Sequence, residues 1–82
     1  MPELRTKMPE LMMRPGDLVV LLSVPSTLLR GLPQEDQDAI SAAVGKQVTF
    51  AGMSYGQAEL EFKDSAGDDH TIWVDKYFIK RV

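Results

Sequence analysis

Between residues 45 and 74 the chain reads GKQVTFAGMSYGQAELEFKDSAGDDHTIWV, three short runs of β-formers separated by turn chemistry at 52–56 and 65–69. In the middle run Ala58, Leu60 and Phe62 alternate with Gln57, Glu59, Glu61 and Lys63. A period of two sets one group against a core and the other in water, as in a half-buried antiparallel strand. Three such strands in succession make a meander, and in a chain of 82 residues a meander points to a small barrel or roll.

The flanking sequence supplies two more strands and a helix. Pro15, Gly16 and Asp17 form a turn signature ahead of the run 18–24, which is apolar at nearly every position and so reads as a strand buried on both faces. Pro25 ends that run because it cannot donate to a ladder, and 26–31 reads as a loop. A helix is expected over 33–44. Pro33 suits its first turn, Glu35 and Asp36 suit the positive end of its dipole, and Gly45 suits its exit. Ile40, Ala43 and Val44 give it a narrow apolar stripe. Residues 75–78 read as one tight turn and 79–82 as a closing strand. The expected core is Val20, Leu22, Val48, Phe50, Leu60, Phe62, Ile72, Val74 and Ile79, with truncation of Phe62 to Ala costing about 3–5 kcal/mol.

Residues 15–82 form the expected domain, and residues 1–14 a flexible N-terminal extension. Within the extension Met1-Pro2-Glu3-Leu4 recurs as Met8-Pro9-Glu10-Leu11, far too short a unit for a repeat architecture. Residues 1–10 are expected to be dispensable for folding.

Charge and composition bound the function classes. The formal net charge is −3 and the nine Lys and Arg are dispersed, with small groups only at Arg5/Lys7 and Lys76/Lys80/Arg81. Phosphate backbones require clustered cations, so nucleic acid is disfavoured as a partner. There is no cysteine, hence no disulfide framework and no thiolate metal site. The apolar run 18–22 is far too short to span a bilayer, and the first residues lack the apolar stretch of a secretory signal. The expected compartment is the cytoplasm, with no membrane association.

The order of strand, inserted helix, meander, tight turn and closing strand resembles the Src-homology-3-like small barrel. The residues that carry the likeness are Pro15-Gly16-Asp17 before the first strand, Gly45-Lys46-Gln47-Val48 opening the second, and the alternating run 56–62 as the third. Trp73-Val74-Asp75 through Ile79 supplies the last two. The likeness extends to short bacterial barrels of unassigned function. It implies a five-stranded, mainly β barrel with one short helix inserted between strands 1 and 2. The functions of the better-known relatives carry over poorly. Src-homology-3 domains bind proline-rich peptides through aromatic residues of the first loop, and 26–32 has none. Tudor-like domains need a cage aromatic where Ser65 stands. KOW-type barrels are basic, whereas this chain is acidic.

Few residues suggest chemistry. His70 follows Asp68 and Asp69, but neighbours on a strand point to opposite faces, so they are poorly placed to share an ion, and an acidic turn explains the same letters. Glu59 and Glu61 share the polar face of a strand, where they read as ordinary ionised acids rather than an acid–base pair. The serines sit in no nucleophile context. No catalytic residue, metal site or cofactor is expected. Trp73 lies on the face opposite Ile72 and Val74, beside Glu59 and Glu61. An aromatic residue there is either packed under the helix or presented for recognition. Tyr55, between Ser54 and Gly56, and Tyr77 extend the same surface. The reading is a non-enzymatic protein-interaction module that uses Trp73, Tyr55, Glu59, Glu61 and Tyr77. The alternatives are a nucleic-acid or ribosome-associated accessory barrel and a structural subunit, including a homo-oligomer.

Overall fold

The computed structural model describes residues 13–82. Its framework is one five-stranded antiparallel sheet in the spatial order β4-β3-β2-β1-β5, formed by β1 (Leu18–Leu21), β2 (Gln47–Ser54), β3 (Gln57–Lys63), β4 (Asp69–Asp75) and β5 (Ile79–Arg81). Two helices, α1 (Ser26–Leu29) and α2 (Gln34–Ala43), connect β1 to β2, and a one-turn 3-10 helix (Lys76–Phe78) connects β4 to β5. The sheet is open: among the described residues no ladder joins β4 to β5, so the closed barrel expected from the sequence is not seen.

Each element follows from local chemistry. Gly16, at φ 99°, turns the chain into β1, and the turn docks on β2 through Gly16 N–H to the Phe50 carbonyl and Phe50 N–H to the Asp17 carbonyl, 2.7 Å each. Asp17 also accepts the Arg14 N–H at 2.9 Å. Pro33 precedes α2, and Glu35 and Asp36 lie in its first turn, where the dipole favours anions. Ala39, Ile40 and Ala43 form its buried stripe. Gly45, at φ 86°, lets the chain leave α2 and give its N–H to the Leu21 carbonyl at 2.6 Å.

One face of the sheet, with Ile40 and Ala43 against it, forms the core. Val19, Leu21, Val48, Phe50, Ala58, Leu60, Ile72, Val74 and Ile79 are all buried there. Cross-strand pairs organise it: Phe50 faces Leu60, Leu60 faces Ile72, Ala58 faces Val74, and Leu21 faces Ile79.

Four expectations are corrected. The inward residues of β1 are Val19 and Leu21, both fully buried, not Val20 and Leu22; Leu22 is 47% exposed. A run apolar at successive positions carries no alternation to fix its own register, which pairing with β2 and β5 decides instead. Phe62 is half-buried, because it lies near the hairpin end of β3 and stacks on His70 with ring centroids 5.4 Å apart. The segment 26–31 is not a plain loop but contains the single turn α1. Lastly, 52–56 is not one turn. β2 runs through Gly52, where the register with β3 shifts between Phe50 and Gly52, and only Tyr55 and Gly56 make the reversal. The readings of residues 1–12, as an extension that is flexible and dispensable, lie outside the described residues.

Candidate functional site

Strands β3 and β4 present two different surfaces. On the outer face, register sets Glu59 opposite Trp73 and Glu61 opposite Thr71. Because Ile72 and Val74 fill the core, alternation turns Trp73 outward, and the residue is 45% exposed. Glu61 is exposed and Glu59 half-buried. The bulge pairs Gly52 with Glu59, so β2 offers no side chain in that row.

At one end of this face two hairpin elements meet. Ser54 pairs with Gln57 around a two-residue turn, Tyr55 at φ 50° and Gly56 at φ 80°. Positive φ at both central positions is the demand of a type I′ turn, whose twist matches that of the strands. Tyr55 is fully exposed at its tip. Gln57 pairs with Asp75, which brings the 3-10 turn and its Tyr77, 79% exposed, to the same end. Asp75 caps that turn by accepting the Tyr77 N–H at 3.1 Å, and the Lys76 ammonium sits 5.7 Å from the Tyr77 ring centroid. The structure therefore brings Trp73, Glu59 and Glu61 together on one face, with Tyr55 and Tyr77 at its end.

The other end of the hairpin holds a cluster that sequence spacing did not reveal. Asp64 opens a three-residue turn: its Oδ1 accepts N–H groups from Ala66 and Asp68, both at 2.9 Å, and its Oδ2 lies 2.8 Å from His70 Nε2. An ionised carboxylate only accepts, so Nε2 carries the proton. His70 Nδ1 points the other way, 3.9 Å from Asp36 on α2. The hydrogen bond from His70, followed by those from the Asp68 and Ala66 backbone, holds the Asp64 carboxyl below its ordinary value. On the outer side Lys63 meets Asp69 at 2.6 Å, and that hydrogen bond together with the charge of Asp69 raises the Lys63 ammonium above its ordinary value.

His70 thus pairs with Asp64 and Asp36, not with Asp68 and Asp69. The two carboxylates flank opposite ring nitrogens and do not converge on a common point. Among the described residues no group of three or more His, Cys, Asp or Glu is placed to hold a metal ion. The Asp64–His70 pair has the form of an orienting dyad, but among the described residues no Ser, Thr or Lys side chain is hydrogen-bonded to it. Its evident effect is to tie the β3–β4 turn toward α2. The only local hint in the sequence was an aspartate three residues before Gly67, the composition of a turn whose side chain caps its own backbone.

No family model, curated protein or solved structure matches this chain. No helix among the described residues is long and apolar enough to cross a membrane.

Proposed function

We propose that this protein is a non-enzymatic interaction module that binds another protein through the outer face of β3 and β4. The observation that carries the reading is Trp73, a large aromatic left 45% exposed on a strand whose opposite face buries Ile72 and Val74 in the core. An indole offers wide apolar area and one hydrogen-bond donor at low entropic cost, which is why Trp and Tyr dominate interface hot spots. Trp73 and Tyr55 act as anchors, Tyr77 widens the patch, and Glu59 and Glu61 select a partner with complementary charge.

The strand order supports reading the sheet as an opened form of the Src-homology-3-like barrel, with β4 and β5 as its two free margins. That assignment gives the module a rigid scaffold and says nothing of its partner. A soluble cytoplasmic setting fits the composition.

The test is affinity capture with the tagged wild-type chain beside Trp73→Ala and Glu59→Lys/Glu61→Lys. A protein recovered by the wild type and lost from both folded variants is the expected result. Recovery that ignores both changes removes the outer face from consideration. The nucleic-acid alternative is checked by gel shift at low ionic strength. A complex with DNA or RNA that collapses as salt is added supports that alternative in place of this one.

A further inference from the structure

The margin of the sheet at β4 borders a groove of about 1250 Å³ whose far wall is α2. Successive residues from Asp68 to Trp73 all line it. In the strand order β4 is terminal, so among the described residues one of its edges is not covered by another strand. Pairing explains what that edge carries. Asp64 N–H bonds the Asp68 carbonyl at 2.9 Å, and from there the β3–β4 register runs without a shift. Antiparallel pairs alternate between hydrogen-bonded and non-bonded, so the N–H and C=O of Asp69, Thr71 and Trp73 are directed away from β3. Among the described residues no other strand takes them up.

Natural edges are blunted by proline, lysine, bulges or a covering element. Along β4 the residues from His70 to Val74 include none of these residue types, and the ladder there has no bulge. The groove is larger than the roughly 300–1,000 Å³ of small-molecule sites, and opposite β4 it offers apolar Leu28 of α1, Leu32 of the connection and Ala39 of α2. Its charge is one-sided. Glu35, Asp36 and Asp38 contribute from α2, and Asp64, Asp68 and Asp69 from the hairpin. Against six carboxylates stand two lysines, Lys46 and Lys63, and Lys63 is already paired with Asp69.

We propose that this groove takes an extended basic peptide as a sixth strand on the free edge of β4. Main-chain bonds to Asp69, Thr71 and Trp73 supply register. Apolar side chains of the peptide face Leu28, Leu32 and Ala39, and its Lys or Arg residues meet Asp36, Asp38 and Asp68. The groove shares Trp73 with the outer face, whereas Glu59, Glu61 and Tyr55 lie outside it, so Glu59→Lys/Glu61→Lys on one side and Asp38→Asn on the other tell the two surfaces apart.

The experiment titrates the ¹⁵N-labelled full chain with an acetylated, amidated peptide of sequence Lys-Val-Lys-Thr-Lys-Val-Lys. Expected are amide shifts concentrated at Asp69, Thr71 and Trp73, slowed exchange at those three amides, and affinity that falls with salt. Methylating alternate backbone nitrogens of the peptide, so that its inward donors are lost, is expected to weaken binding about tenfold or more. Thr71→Pro removes one outward donor at a position where an edge strand tolerates proline, and is expected to weaken binding similarly. Asp38→Asn, on α2 and away from the contact between Asp36 and His70 of β4, gives a smaller loss and a flatter salt dependence. Equal binding of the methylated peptide, or shifts confined to another face, overturns the proposal. So does protection of the three amides in the free chain, whether it tracks concentration, as for a second copy, or disappears on removal of residues 1–12.

Discussion

Tyr55 sits at φ 50°, a conformation that asparagine and glycine adopt far more readily than a bulky L-residue. A type I′ turn in this position would ordinarily favour Asn-Gly. Tyr55→Asn is therefore expected to stabilise the fold by up to about 1 kcal/mol in denaturant titration, while weakening partner capture. A variant less stable than the parent would refute this account of the turn. Asp64 yields a second expectation. Its folded-state value lies below the ordinary 3.8, so its charge contributes stability above that pH and loses it as pH falls through the lower folded-state value. The melting temperature of Asp64→Ala should be lower than that of the parent at neutral pH, and the gap should close on acidification below about 3.8. A gap independent of pH would mean that the carboxylate charge plays no part.

Strand β1 separates two kinds of sequence information. In β3 the polar residues mark one face, so Leu60 was legible as core and Glu61 as surface. Strand β1 has apolar residues on both faces, and only its partners β2 and β5 decide that Leu21 points inward and Leu22 outward. Leu21→Ala should cost about 2–5 kcal/mol in denaturant melts and Leu22→Ala no more than about 1. The reverse order would mean that the register is shifted by one. Half-buried Phe62 should lose less on truncation than the 3–5 kcal/mol expected of a fully buried ring. The helix α2 was readable from Pro33, its acidic first turn and its apolar stripe. By contrast α1 is a single turn with no buried residue, which local propensity cannot nucleate. Gly52 misled because a glycine in a strand signals a bulge as readily as a turn. The pairing of His70 with Asp36 joins residues far apart in sequence, and no local spacing encodes it.

Across the whole molecule the single sheet divides its two faces between stability and contact. The inner face carries nearly all of the core, whereas the outer face and the turns at its end hold the exposed aromatics Trp73, Tyr55 and Tyr77. Trp73→Ala should then leave the free energy of unfolding within about 0.5 kcal/mol of the parent, as for an ordinary surface substitution. Trp73 is the only tryptophan of the chain, so its emission reports on this surface without interference from another indole. Acrylamide quenching of that emission, before and after addition of the captured partner, examines the claim at its source. The free protein should show red-shifted, readily quenched emission, and the partner should shift it to the blue and protect it. Emission already blue and protected in the free chain, or unchanged by a partner that binds, would contradict the account.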